Sequence, residues 1–131
     1  MLAEISTGLA QLHTRYYGKG PTGAKSYMLN DAVLCMLNEC FTRVERTLIA
    51  EGRGEAVHEI RSTFQAAMED RFTKVVEDAT GRGVVAYMSQ VHIDPDFAVE
   101  LFVLEPTEEE IVAHHEQHVA AAHSGPEPGS D

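Results

Sequence analysis

Arg15, Gly18, Lys19, Gly20 and Lys25 fall in one short stretch whose residue types could bind an anion. Successive free backbone N–H groups around glycines form a small concave site, and the three cations would add charge to it. These five residues are the candidate anion-binding set. The stretch is not a P-loop, because Gly-x-x-x-x-Gly-Lys-Ser/Thr is absent and the loop leads into a strand instead of a helix. The plainer reading is a helix stop: Gly18 accepts the left-handed C-cap conformation, and Pro21 prevents the helix from resuming.

Two further groupings are weaker. His114 and His118 stand four apart on a predicted helix and face the same way, as a two-ligand metal clip requires. A third ligand is missing from that face, since Glu110 sits another turn back on the same stripe. The plainer reading is a solvated helix with adventitious Ni or Zn affinity, so neither a metal nor another cofactor is implied. Ser89, His92 and Asp94 approach a catalytic set, but Ser89 and His92 are three apart in a predicted strand and point to opposite faces. No catalytic residue is assigned, and the expectation leans away from an enzyme.

The elements that must position these residues follow from periodicity. Leu2, Ile5, Leu9, Leu12 and Tyr16 line one helix face, which Gly18 ends. Lys25 to Leu29 and Ala32 to about Phe41 read as strands around an Asn30-Asp31 turn. The second strand is apolar on both faces, which suggests a central strand or a sheet face covered by a partner. Thr42 with Glu45 forms a capping box, and Val44, Leu48 and Ile49 supply the stripe of a short helix. A break at Gly52-Arg53-Gly54 precedes a long helix from about Glu55 to Ala79. Its inward residues are expected to be Val57, Ile60, Phe64, Ala67, Met68, Phe72, Val75 and Val76. Val84 to Ile93 and Phe97 to Leu104 then flank the Asp94-Pro95-Asp96 turn.

The order α-ββ-αα-ββ-α predicts an α+β, two-layer fold: a four-stranded antiparallel sheet from two β-hairpins with helices packed on one face. Residues 1–106 make one domain, 107–123 a His-rich helix and 124–131 a disordered acidic tail.

A chain of 131 residues suits a single domain. Its net charge of −11 argues against nucleic acid and anionic membranes as partners. No run approaches the roughly 18 apolar residues of a membrane span, and Met1-Leu2-Ala3-Glu4 lacks the features of a signal peptide. Direct membrane insertion is not expected, and a cytoplasmic location is. If Cys35 and Cys40 both lie on or just after one strand, their side chains point to opposite faces roughly 17 Å apart. A disulfide is then excluded, and reduced, packed thiols are expected.

Several of these pieces, taken in order, carry a family resemblance. They are Gly18-Lys19-Gly20-Pro21, the Asn30-Asp31 turn, Thr42 to Leu48, Glu51-Gly52-Arg53-Gly54-Glu55, Thr80 to Val85, and Asp94-Pro95-Asp96 with Val99 to Pro106. Together they resemble the MpsC-like family of small bacterial proteins over roughly residues 1 to 106. The family is named for a proposed Na⁺-translocating, membrane-potential-generating system. A chain without a spanning segment cannot translocate an ion itself. The resemblance therefore implies a non-enzymatic cytosolic accessory or regulatory protein that meets membrane ion or bicarbonate transport subunits by protein contact. A small-anion or nucleotide sensor using the Gly18–Lys25 loop is the alternative. A homodimer is expected, because an apolar second sheet face is a liability in a monomer.

Overall fold

In the computed structural model, which describes residues 1–109 together with 111, 112 and 116, the elements follow the expected order. They are α1 (Leu2–Tyr17), β1 (Gly23–Leu29), β2 (Ala32–Asn38), α2 (Arg43–Ala50), α3 (Gly54–Thr80), β3 (Val84–His92) and β4 (Phe97–Leu104). Of the helix expected over 107–123, the first turn is described, where the Ile111 amide donates to the Thr107 carbonyl at 2.9 Å. His114, His118 and the tail 124–131 lie outside the described residues.

Local chemistry sets the boundaries. Gly18 takes φ 80 and closes α1, and Asn30 takes φ 54 in the turn between β1 and β2. The capping box at α2 is reciprocal: the Glu45 amide donates to Thr42 Oγ1 at 3.2 Å, and the Thr42 amide donates to Glu45 Oε1 at 2.9 Å. The sheet is antiparallel throughout, in the order β1-β2-β4-β3. Each hairpin pairs within itself, and the β2–β4 ladder joins the two, so β4 is central.

One face of the sheet packs against the helices. Val33, Cys35 and Leu37 of β2 and Ala98, Phe102 and Leu104 of β4 meet Ile5 and Leu9 of α1 and Val57, Met68, Phe72 and Val76 of α3. Gly8 lets α1 approach α3, because a Cβ there would lie 2.7 Å from Val75 Cγ1.

Three expectations are corrected. First, β2 stops at Asn38 instead of reaching Phe41, because Glu39 turns at φ 55. Asp96 then takes the next amides, its carboxylate accepting from Cys40 at 3.0 Å and Phe41 at 3.2 Å. Second, that turn returns Cys40 to the same core as Cys35, so the two thiols do not point to opposite faces; both are buried and free. Third, the inward stripes shift. Ile60 and Val44 are exposed, while Arg61 of α3 and Glu45 of α2 are buried. A mutual ion pair makes those charged positions compatible with the interior.

Candidate functional site

α1 supplies Arg15, the connection after it supplies Gly18, Lys19 and Gly20, and β1 supplies Lys25. Gly20 lies against Thr14 of α1 where a side chain would collide. Lys19 Nζ donates to the Gly20 carbonyl at 3.3 Å and to the Glu39 carbonyl, so its ammonium ties the loop to the end of β2. Arg15 stacks over Tyr16, 5.3 Å from the ring centroid. It also lines an open groove with Ser6, Thr7, Gln11, Thr14 and Ala24. Lys25 follows Ala24 in the strand, so the pleat sends it to the other face of the sheet, over the Tyr27 ring at 5.5 Å. The loop glycines and Lys19 are gathered in one place. Arg15 is turned toward the helix-side groove and Lys25 toward the open sheet.

Ser89 and His92 fall on opposite faces, as their spacing requires. In the β3–β4 register Ser89 pairs with Glu100 and His92 with Phe97, and only the first pair faces the helices. His92 Nδ1–H donates to the Pro95 carbonyl at 2.9 Å.

The face of the sheet away from the helices has an unusual composition. β1 presents Lys25, Tyr27 and Leu29, and β2 presents Leu34 and Met36, paired with Tyr27 and Lys25. β4 continues the same face with Val99, Leu101 and Val103, and β3 with Met88, Gln90 and His92. None of these outward positions carries a carboxylate, on a chain with 21 Asp and Glu residues. Leu29 is 60% exposed and Met88 52%, and Leu34, Met88, Val99 and Leu101 line a shallow depression.

Behind the sheet lies a buried polar cluster that periodicity alone did not assign. Arg61 is paired with Glu45 through two hydrogen bonds, Nε to Oε2 at 2.7 Å and Nη2 to Oε1 at 2.6 Å. Arg61 Nη2 also donates to the Cys40 carbonyl at 2.8 Å, and the guanidinium stacks on Tyr17 at 4.0 Å. Burial alone would raise the Glu45 pKa, but the hydrogen bonds from Arg61 and Thr42 together with the Arg61 charge outweigh it and hold the carboxyl below its ordinary range. Glu100 is 2% exposed and accepts from the Tyr87 hydroxyl at 2.6 Å. His13 Nε2 stands 3.8 Å from its other oxygen. Burial pushes Glu100 up to about 7, against lowering by Tyr87, Ser89 and Arg61. Glu100 was legible in one respect: it shares the inward alternation of Ala98, Phe102 and Leu104.

The family described as "Na⁺-translocating membrane potential-generating system (MpsC)" matches residues 1–106. The chain belongs to this family. Comparison with curated proteins gave no match, and comparison with solved structures gave none. Among the described residues of this MpsC-family chain, no helix is long and apolar enough to cross a membrane.

Proposed function

We propose that the chain is a non-enzymatic, cytosolic accessory or regulatory component of a membrane-potential-generating system, and that it works as a homodimer through the open face of its sheet. The observation that carries this reading is the carboxylate-free apolar face on an otherwise acidic protein. Half-exposed leucine and methionine side chains such as Leu29 and Met88 each forgo roughly half of the 1.5–3 kcal/mol that full burial supplies, so covering them favours association. Four strands of seven or more residues make a face roughly 19 Å wide and at least roughly 23 Å long. With side-chain relief this reaches the lower end of what a stable dimer needs. Two such twisted faces pack at about 10 Å separation without burying an unpaired carboxylate. Membrane ion or bicarbonate transport subunits would then be met by protein contact.

Sedimentation equilibrium of the full chain tests the dimer. The wild type is expected to be dimeric at micromolar concentration, and Leu101→Glu monomeric with an unchanged far-ultraviolet spectrum; a monomeric wild type removes the dimer. The accessory role is tested in the native host by deleting the gene and reading membrane potential with a voltage-sensitive dye. The potential is expected to fall and to be restored by the wild-type chain but not by Leu101→Glu. An unchanged potential sinks the role.

A second reading, a small-anion or nucleotide sensor, is favoured by Arg15 lining a groove beside the hydroxyl-bearing Ser6, Thr7 and Thr14. Gly18, Lys19, Gly20 and Lys25 flank it in sequence. Calorimetric titration with phosphate, bicarbonate and nucleotides is expected to give heats that Arg15→Ala and Lys19→Ala abolish. No heat at millimolar ligand removes this reading.

A further inference from the structure

The tautomer of His13 is fixed by its surroundings. Its Nδ1 lies 2.8 Å from the Leu9 carbonyl, which can only accept, so Nδ1 must carry a hydrogen. In the neutral ring Nε2 then carries a lone pair, and this atom faces Glu100 Oε1 at 3.8 Å. Both residues are 2% exposed. The ring is held from two sides, stacked on Tyr17 at 5.1 Å and on Phe72 at 5.2 Å. Without a proton between them, a neutral imidazole and an ionised carboxylate turn lone pairs toward each other in an interior with little water to intervene. One proton on the pair converts that opposition into attraction.

We propose that His13 Nε2 and Glu100 Oε1 form a buried proton-binding site, filled by one proton from solvent, and that its occupancy decides how firmly α1 is held to the sheet. The proton bonds to Glu100 Oε1 and points toward His13 Nε2, and the 3.8 Å between them must shorten for the hydrogen bond to form, while Glu100 Oε2 keeps the Tyr87 hydroxyl at 2.6 Å. When the proton leaves, a carboxylate remains between β4 and α1 with Tyr87 as its one hydrogen-bond donor of normal geometry among the described residues. The hydroxyl of Ser89, buried and without such a partner among those residues, also weighs on that carboxylate.

The neighbouring elements bring their own titratable groups to the cluster. Arg61 of α3 and Glu45 of α2 satisfy each other at 2.6 Å. Burial raises Tyr17 of α1 to about 12, and it also raises Cys35 of β2, Tyr87 of β3 and Cys40 beyond β2. These four hold their protons at neutral pH. His58 of α3 stands farther out, beside Ser89. Burial raises Glu100 to about 7 and lowers His13, which leaves this pair as the part of the cluster that exchanges a proton near neutrality. The site stands apart from the open sheet face and does not depend on dimerisation.

Nuclear magnetic resonance of the full chain reads the site directly. The Glu100 carboxyl carbon is expected to titrate with a midpoint near neutral pH, and the His13 Nε2 nitrogen shift to move with the same midpoint. A carboxyl midpoint below about 5, or a stationary Nε2, overturns the proposal. Hydrogen exchange, corrected for its intrinsic pH dependence, is expected to show α1 amides losing protection from pH 6 to pH 8.5. Glu100→Gln supplies a permanent N–H to His13 and should abolish that change, whereas retention of the wild-type pH response overturns it. Tyr87→Phe removes the donor that lowers the Glu100 pKa, so the midpoint must rise; a midpoint that falls or stays overturns the site even if Glu100→Gln does not fold.

Discussion

Arg61 shows how one residue can defeat a pattern. It occupies a position on the inward side of α3 where periodicity expects an aliphatic neighbour, and it is 1% exposed. Its charge is tolerated because Glu45, the Cys40 carbonyl and the Tyr17 ring all meet it. Breaking a buried pair strands the remaining charge, so Arg61→Ala should cost about 3–5 kcal/mol in urea unfolding. The double change Arg61→Met with Glu45→Leu should cost less than Arg61→Ala alone, since no charge is left unpaired. A loss below about 1 kcal/mol for Arg61→Ala would contradict the account. Glu45 has a folded pKa below its ordinary 4.5, so its contribution is present above pH 4.5 and lost as pH falls through the lower folded value. Glu45→Gln should therefore flatten acid unfolding in that window.

At the scale of elements, the caps and turns were the most readable features because their chemistry is local. Thr42 and Glu45 signal the start of α2 by identity and spacing, and the reciprocal bonds are present. Thr42→Ala should lower stability by about 1 kcal/mol, read as a shift in the urea midpoint. The approach of α1 to α3 was not readable, since Gly8 sits inside a helical pattern where glycine is usually a weakness. Its place is explained by Val75, 2.7 Å from where a Cβ would stand. Gly8→Val should therefore lower the melting temperature, despite removing a glycine from a helix; an increase would mean that the helices part without cost. The end of β2 at Asn38 also depended on a distant element, the Asp96 carboxylate.

For the whole molecule, the buried carboxylate sets an expected stability profile. The folded pKa of Glu100 is raised from 4.5 to about 7. The native state thus holds the extra proton between those values, and stability falls as pH rises through that window. The full effect is roughly 3 kcal/mol. His13, lowered from 6.5, acts in the opposite sense, because below pH 6.5 the unfolded chain binds the proton more readily. Urea unfolding should show the Glu100 contribution fading as pH rises from 4.5 to about 7, offset by His13 below pH 6.5, and no further change from these two groups above about pH 8. Glu100→Gln should be more stable than wild type at pH 8, and a less stable variant there would refute the burial argument. The same molecule presents a mostly apolar, carboxylate-free sheet face to solvent, with Lys25 on its edge strand, so its association should persist at high salt, unlike contacts built on pairs of exposed charges.

The amino-acid sequence by itself determined the elements, their order, the α+β class and the family, because helix periods, capping boxes and turn residues act over a few positions. It also placed Leu34 and Met36 together on one face of β2. Only the tertiary structure decided that β4 runs beside β2, because strand pairing between hairpins depends on contacts far apart in the chain. That pairing continues the apolar face of β2 across Val99, Leu101 and Val103. It also brings Glu100 under His13 and Tyr87, a meeting of α1, β3 and β4 that no local spacing encodes.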